Sequence, residues 1–361
     1  MPDFERIPAG TSEEGADGPL ECVFCGQTSG DGKDLIAANG TAICDECAAA
    51  CVEALNKQTA DESVTSEQDD ESAARASFRA LSDADVEQLL DTDALVDAME
   101  ETLRRVLGGK PPQSANAVLA VAGGSITSDT AYAPADGAAP TLLGTQVTSA
   151  FDGNVATGLP ATLETLLLLN PDTGAVVAVV AGGYLADACA AATSALSARL
   201  LARDDAGRLA ILGSGRIARL HLEALDRVFE LSSVRVWSPT SEDQEALLEK
   251  IESKIEIEAA RSAEDAVRCA DLVVIAVPPD ELTVRAEWIA DGTHVMIAGL
   301  ADADTHNVVT ALTKRGHVFS GSRVLAATRN SPREVTMFES AGTTLAHVAA
   351  ANLMLQKGAA S

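Results

Sequence analysis

A glycine-rich turn between a short apolar strand and an amphipathic helix is the sequence feature that most restricts how this chain can fold. The turn begins at Gly213-Ser214-Gly215, after a strand predicted at Arg208–Leu212 and before a helix predicted at Ile217–Phe229. Glycine permits the tight turn and lets backbone N–H groups approach a pyrophosphate at the helix N-terminus. The turn therefore predicts a dinucleotide site, and a turn kept only for packing is the alternative.

The segments after this turn alternate between strand-like and helix-like patterns. Further strands are predicted at Ser233–Trp237, Leu272–Val277, Thr293–Ala298 and His317–Phe319, with helices at Glu242–Ile251, Asn307–Lys314 and Thr344–Gln356. Such alternation is typical of a doubly wound parallel sheet in α/β proteins. We therefore expect a Rossmann domain over residues 196–325, whose cofactor-binding residues include Gly213, Ser214, Gly215, Arg216, Ile217 and Val277.

The residues after the second strand bear on which cofactor is bound. The segment Val236-Trp237-Ser238-Pro239-Thr240 contains no acid for a ribose 2′-hydroxyl. The hydroxyls of Ser238 and Thr240 are able to bond a 2′-phosphate, and Arg216 would add positive charge. This pattern favours NADP and leaves NAD open.

Upstream of the Rossmann pattern the chain reads as an α+β unit. Ser82 is the predicted N-cap of one helix, and a second helix runs from Leu95 to Leu107 and ends at Gly108-Gly109. Short β-like runs follow at Ala117–Ala122, Thr141–Ser149 and Leu163–Leu169.

Two cysteine pairs near the N-terminus have the spacing of a metal site. They are Cys22-Val23-Phe24-Cys25 and Cys44-Asp45-Glu46-Cys47. Four thiolates satisfy one tetrahedral zinc ion and leave no position for water, which predicts a structural zinc site. A redox pair is the alternative, and having two pairs at this spacing argues against it.

Charge and composition narrow the remaining possibilities. Residues 1–19 lack a hydrophobic period and are predicted to be disordered, and residues 57–76 form a polar acidic run that we predict to be a flexible linker. The formal net charge of −28 excludes a nucleic-acid surface. No apolar run is long enough to span a bilayer and the first residues lack a secretory pattern, so we expect a cytoplasmic protein without a membrane partner.

Several further segments occur in an order that resembles the ornithine cyclodeaminase/μ-crystallin family. They include Phe151-Asp152-Gly153-Asn154, Gly158-Leu159-Pro160, Asn170-Pro171-Asp172-Thr173-Gly174 and the run from Val335 to Gly342. The resemblance implies a Rossmann domain inserted in a dimerisation and substrate domain, here residues 77–195 and 326–361. It also implies a homodimer that uses NAD(P) to oxidise or reduce amino or imino acids.

The chain departs from that family where a substrate carboxylate would be held. Three family cations align with Gln113, Gln146 and Cys189, and a family acid aligns with Ala301. We assign these four positions to the substrate pocket. The nearby Asp302, Asp304 and His306 are the candidate catalytic residues, and a solvated loop is the alternative interpretation. His221, His294, His317 and His347 have no metal-like spacing and are predicted to be structural or surface residues.

The cysteine segment, residues 20–56, resembles the zinc-binding domain at the head of the ClpX unfoldase. That resemblance implies dimerisation or recruitment of a protein partner, including unfolded proteins, without the ATPase. The sequence thus predicts an NAD(P)H-dependent reductase or dehydrogenase of an imine, amino-acid-like or carrier-bound substrate. The alternative is a non-catalytic NADPH-binding pseudoenzyme that acts through its zinc finger.

Overall fold

The chain forms two compact units, residues 1–73 and 74–361. The computed structural model describes residues 5–7, 14–15, 18–19, 21–23, 25–28, 34–38, 41–50, 78–107, 113–137, 139–250, 255–277, 284–298, 312–340 and 342–358. The predicted linker, residues 57–76, lies outside these ranges.

The N-terminal unit is a small β-structure with one described helical segment. Its strands are β1 (Glu5–Ile7), β2 (Glu14–Gly15), β3 (Gly18–Pro19), β4 (Leu35–Ala38) and β5 (Thr41–Cys44), followed by helix α1, described over 45–50. Strands β1, β4 and β5 form an antiparallel sheet. Within residues 1–19, which were predicted to be disordered, the described residues include β1, which pairs with β4 along its whole length. A three-residue edge strand held by backbone bonds needs no apolar period.

The second unit begins with two helices and an antiparallel-rich sheet. Its elements are β6 (Arg79–Leu81), α2 (Asp83–Leu89), α3 (Thr92–Leu107), β7 (Gln113–Val121), β8 (Gly124–Ala133), β9 (Leu142–Ala150), β10 (Thr162–Leu169) and β11 (Val176–Ala181). The strand order is β6-β11-β10-β9-β8-β7, and a 3₁₀ helix (Asp152–Thr157) lies between β9 and β10. As predicted, Ser82 caps α2, through a capping box with Asp85.

The long helix that follows lies between this sheet and the next. Helix α4 (Gly182–Leu201) crosses the predicted domain boundary at residue 195. It packs against β10 on one side and, in the next sheet, against strands that include His294–Ala298 and Val335–Ser340. Most of its residues are buried, and alanine predominates among them. Small side chains let the helix approach several neighbours closely, so the core is continuous through both parts of the unit.

The second sheet has seven parallel strands and confirms the predicted doubly wound fold. Its elements are β12 (Arg208–Leu212), α5 (Arg216–Val228), β13 (Ser233–Trp237), α6 (Ser241–Lys250), β14 (Ile257–Ala259), α7 (Ala263–Val267), β15 (Leu272–Ile275), β16 (His294–Ala298), β17 (Gly316–Ser320) and β18 (Val335–Ser340). The strand order is β14-β13-β12-β15-β16-β18-β17, and two 3₁₀ helices (Ala286–Trp288 and Gly321–Ala326) lie in its connections. The last described element is α8 (Thr344–Gly358).

The position of strand β18 does not follow the predicted domain division. Residues 326–361 were expected in the substrate domain, yet β18 lies between β16 and β17 and pairs with both in parallel. Its near-continuous burial is typical of an internal strand of a parallel sheet. The strand therefore belongs to the Rossmann sheet, and α8 returns to the first sheet, where it packs on β9 and β8.

Two buried histidines join α4 to neighbouring elements. The His294 ring contacts Ser197 Oγ through Nε2 at 3.0 Å and Thr336 Oγ1 through Nδ1 at 2.8 Å. The His221 ring contacts Ser194 Oγ at 3.1 Å and the Ile217 carbonyl oxygen at 2.7 Å. Both residues are structural, in agreement with the sequence analysis.

Candidate functional site: a glycine turn beside an acidic cleft, and a four-cysteine cluster

The glycine turn has the geometry of a dinucleotide-binding turn. Gly213 has a φ of +133°, and a Cβ at this residue would lie 2.5 Å from the Ala276 carbonyl oxygen. Gly215 is the N-cap of α5 and has no side chain to bond the first N–H groups of that helix. Ala218, at the third position of the motif, is fully buried. The turn therefore presents the helix N-terminus to a ligand, as anion binding requires.

The structure shows the contacts of the residues that were predicted to bond a 2′-phosphate. Ser238 Oγ lies 2.9 Å from Ser214 Oγ, which brings two predicted cofactor residues together. Thr240, however, donates its hydroxyl hydrogen to Asp243, an acid at the start of α6. The region therefore contains a carboxylate that the five-residue segment did not reveal. Val277 is buried just after β15 and packs in the core behind the turn.

Arg216, the third residue predicted to act on a 2′-phosphate, instead contacts two carboxylates. Its Nε lies 2.7 Å from Asp187 Oδ2, and its Nη1 lies 3.2 Å from Asp83 Oδ2. Asp83 also accepts the Tyr184 backbone N–H, and the guanidinium stands 5.6 Å from the centre of the Tyr184 ring. The charge of Arg216 is thus neutralised by two carboxylates.

Arg216 lies where two hollows of the second unit meet. One hollow, of about 430 Å³, lies over the glycine turn and is lined by Glu87, Ser214, Gly215, Arg216, Arg219 and Leu247. The other is a cleft of about 730 Å³ whose polar lining includes Asp83, Gln146, Glu164, Asp187, Arg216, Glu339, Ser340 and His347. We call this second hollow the acidic cleft. It lies between the ends of the Rossmann strands and the first sheet.

The structure places the predicted substrate-pocket residues in different surroundings. Gln146 is 9% exposed, lines the acidic cleft and lies 2.6 Å from the His347 ring. Cys189 is buried, its Sγ lies 4.0 Å from the Ala346 carbonyl oxygen, and burial raises its pKa far above the usual range. Gln113 is exposed at the start of the edge strand β7 and does not line the cleft. Ala301, Asp302, Asp304 and His306 lie outside the described residues.

Glu164 and His347 are among the residues of the acidic cleft that were not predicted as site residues. Glu164 lies on β10 in phase with the buried Leu166 and Leu168, so its inward direction was readable from the alternation of the strand. His347 is a polar residue in the apolar run of α8. The sequence indicated that its side chain is buried but not which residues it contacts. Burial, and then the neighbouring charge of Asp187, raise the pKa of Glu164.

The four predicted metal ligands form a single cluster in the N-terminal unit. The sulfur atoms of Cys22, Cys25, Cys44 and Cys47 all lie within 4.8 Å of one another. The Cys47 backbone N–H points at Cys44 Sγ at 3.4 Å, and Gly26, with φ of +72°, closes the first knuckle. Hydrogen bonding to Cys44 leads the effects that raise the pKa of Cys47 to about 12. Four sulfur donors this close suit a bound divalent cation, and their number matches a closed zinc site.

The fold and the glycine turn define a Rossmann-type dinucleotide-binding protein, and similarity to known proteins identifies the family. Residues 78–326 match the ornithine cyclodeaminase/mu-crystallin family, and residues 20–57 match the ClpX C4-type zinc finger. The chain belongs to the ornithine cyclodeaminase/mu-crystallin family and carries a four-cysteine zinc finger before it.

Individual relatives agree with this assignment. An alanine dehydrogenase of Archaeoglobus fulgidus is 27% identical over 219 residues, which are 61% of this chain and 66% of that protein. The chain thus spans between about half and two thirds of the length of the curated relatives that it matches.

Solved structures show the same fold. An archaeal alanine dehydrogenase dimer with bound NAD is 23% identical, with a TM-score of 0.66 over 78% of this chain and 96% of that one. The Δ1-pyrroline-2-carboxylate reductase of Thermococcus litoralis, in complex with NADH and L-proline, is 22% identical, with a TM-score of 0.67 over 78% and 98%. In the described part of this chain, no helix is sufficiently long and apolar to cross a membrane.

Proposed function

We propose that the second unit is an NAD(P)-dependent reductase or dehydrogenase that acts on an imine, an amino-acid-like substrate or a carrier-bound substrate. The observation that carries this proposal is the continuity of the glycine turn with the acidic cleft through Arg216. A dinucleotide held at the turn would extend towards a cleft large enough for a small substrate. The relatives bound to NAD, or to NADH and L-proline, support this reaction class.

Residues at the glycine turn would bind the cofactor, and residues of the acidic cleft would bind the substrate. A bound nicotinamide dinucleotide supplies or accepts the hydride. The backbone at Gly213, Ser214 and Gly215 would hold its phosphates, because the N-terminus of α5 is open there. Gln146 and His347 would contact the substrate from the floor of the cleft. Asp302, Asp304 and His306 remain our candidates for proton transfer.

NAD is the cofactor that the charges around the turn favour. A 2′-phosphate near Thr240 would meet the carboxylate of Asp243. Arg216, which was expected to offset that phosphate charge, is bound by Asp83 and Asp187 in the cleft. An acid suits a ribose 2′-hydroxyl and repels a phosphate. We therefore propose NAD in place of the NADP that the sequence favoured.

The test is turnover by the purified full chain with a panel of cyclic imines and keto acids. We expect oxidation of NADH above the blank with at least one imine, and slower oxidation of NADPH at equal concentration. The signal is the absorbance of the reduced nicotinamide. Oxidation of neither nucleotide with any substrate, although both bind, would favour the pseudoenzyme instead. The specific observation behind that second candidate is that none of the three expected cations is present at Gln113, Gln146 and Cys189.

A homodimer is the assembly that we propose for the second unit. Strand β7 is exposed along its whole length at the edge of its sheet. Val118 and Leu119 on this strand are 65% and 62% exposed, and Ile126 on β8 is also exposed. An open apolar edge strand invites pairing with another chain, and a second copy would cover it. Native mass spectrometry of the full chain should report two subunits, and replacing Val118 and Leu119 by lysine should yield monomers. Dimers that persist in this variant would contradict the proposed edge.

For the N-terminal unit we propose recruitment of a protein partner, with the zinc ion in a structural role. The four sulfur donors leave no position for a reacting water molecule. Cysteines that stay reduced and available as metal ligands are typical of a reducing compartment, which supports a cytoplasmic location.

A further inference from the structure

The wall of the acidic cleft contains two buried acceptor atoms that have no partner. Among the described residues, the buried side-chain atoms without a hydrogen-bond partner are Glu164 Oε2 and His347 Nε2. Both residues line the acidic cleft. Leaving a buried polar atom without a hydrogen-bond partner is destabilising, so native proteins rarely keep one without a use for it. Two such atoms in one cleft indicate a ligand that supplies hydrogen-bond donors.

His347 is arranged as an acceptor. Its side chain is 5% exposed, and its Nδ1 lies 2.6 Å from Gln146 Oε1. An amide oxygen only accepts, so Nδ1 carries the hydrogen and Nε2 keeps its lone pair. Burial lowers the pKa of His347 to about 4, which leaves the ring neutral near pH 7. Gly342 borders Nε2, and a Cβ there would come within 2.8 Å of it.

Glu164 adds negative charge to the same cleft. Its carboxylate is partly buried, and its pKa is raised by burial and then by the charge of Asp187. The pKa of Asp187 is itself raised by burial, although Arg216 acts in the opposite direction. The charge of Asp187 therefore disfavours ionisation of Glu164, the charge of Asp83 disfavours ionisation of Asp187, and a cation in the cleft would favour both charged forms.

The described lining offers no unpaired cation to a carboxylate. Its acids are Asp83, Glu164, Asp187 and Glu339, and its described guanidinium is Arg216. Arg216 already bonds Asp83 and Asp187. A ligand carboxylate would meet net negative charge here, whereas a cationic nitrogen would be attracted.

Resting on the proposed reductase function, we propose that the acidic cleft binds an organic cation whose ammonium or iminium N–H groups donate to Glu164 Oε2 and His347 Nε2, and which has no free carboxylate. An amine or cyclic iminium meets this description, as does an amino acid whose carboxyl group is tied up in an amide or ester. L-Proline, which the Thermococcus litoralis reductase holds, does not.

The test compares two probes that differ only in the carboxylate. Pyrrolidine and L-proline are both protonated at neutral pH, and their affinities for the full chain with NADH are measured by ligand-detected NMR. We expect pyrrolidine to bind more tightly by at least about tenfold. Equal affinities, tighter binding of L-proline, or no binding of pyrrolidine at millimolar concentration would overturn the inference.

Two variants that each remove one negative charge test whether pyrrolidine binding depends on the acidic cleft. Glu164→Gln should weaken pyrrolidine binding by about tenfold or more, because it removes the buried carboxylate that faces the cleft. Glu101→Gln, on the exposed face of α3, should leave binding unchanged. If Glu164 were needed only for folding, its replacement would lower the melting temperature of the protein. Glu164→Gln is expected to maintain or raise it, because it removes an unpaired buried charge. Unchanged binding in Glu164→Gln would overturn the inference.

The binding and turnover assays separate this inference from the function on which it rests. Tight pyrrolidine binding by a protein that reduces no imine would refute the reductase and support the cation site. Turnover restricted to imines that carry a carboxylate would refute the cation site and leave the reductase standing.

Discussion

Removal of zinc is expected to unfold the N-terminal unit and to leave residues 78–358 folded. Among the described residues of that unit, the buried members of its hydrophobic cluster are Cys22, Leu35, Ala37, Ala42 and Cys44, and two of these five are ligands. A core this small cannot offset the entropy of ordering the chain. In comparable peptides zinc contributes roughly 10 to 16 kcal/mol, which is more than such a unit has to lose.

Hydrogen–deuterium exchange of the full chain, with and without a zinc chelator, measures this effect. Amides of β4, β5 and α1 should lose protection after chelation, while those of β12 and β15 should keep it. Cys44→Ser should produce the same loss with zinc present. Cys269→Ser is the matched control, because Cys269 is exposed and lies far along the chain from the cluster. Protection that survives in β4 and β5 after complete removal of zinc would contradict a folding role for the metal.

Local chemistry explains why much of the Rossmann half was predictable. Strands β12 and β13 have the predicted bounds, because a short apolar run beside a glycine turn leaves few alternatives. The capping box at Ser82 and the cysteine spacing are likewise determined by residues a few positions apart. Residues 326–361 were assigned to the substrate domain, because the pairing of β18 with β16 and β17 is a long-range contact that no local pattern encodes.

The acidic cleft was only partly predictable for a related reason. Gln146 was identified because the family resemblance aligned it with a missing cation. That its partner is His347, 201 residues later, depends on the packing of α8 against β9, which no local pattern encodes. Arg216 was expected at a phosphate, and the structure places it on Asp83 and Asp187, because the N-termini of α2 and α4 meet there.

Acid is expected to destabilise the second unit steeply below about pH 6. Burial lowers the pKa of His221 to about 4 and that of His294 to about 3, whereas both rings titrate near 6.5 when unfolded. The unfolded chain therefore binds more protons than the native one in this range. Their contribution is fully present above pH 6.5 and is lost as the pH falls towards 4. Burial lowers the pKa of His347 to about 4 as well, so it acts in the same sense. Each histidine removes about 1.4 kcal/mol per pH unit, or about 4 kcal/mol per pH unit for the three.

Urea unfolding between pH 7 and pH 4.5 measures this slope through tryptophan fluorescence, because Trp237 and Trp288 both lie in the second unit. Glu164 and Asp187 act in the opposite sense, since burial raises their pKa and protonation at low pH then favours the native state. The decisive quantity is therefore the difference between variants. His294→Gln should reduce the slope by about 1.4 kcal/mol per pH unit, even though losing the ring's bonds lowers stability at neutral pH. An equal slope in wild type and His294→Gln would mean that His294 accepts a proton inside the folded core, against the burial that this structure assigns to it.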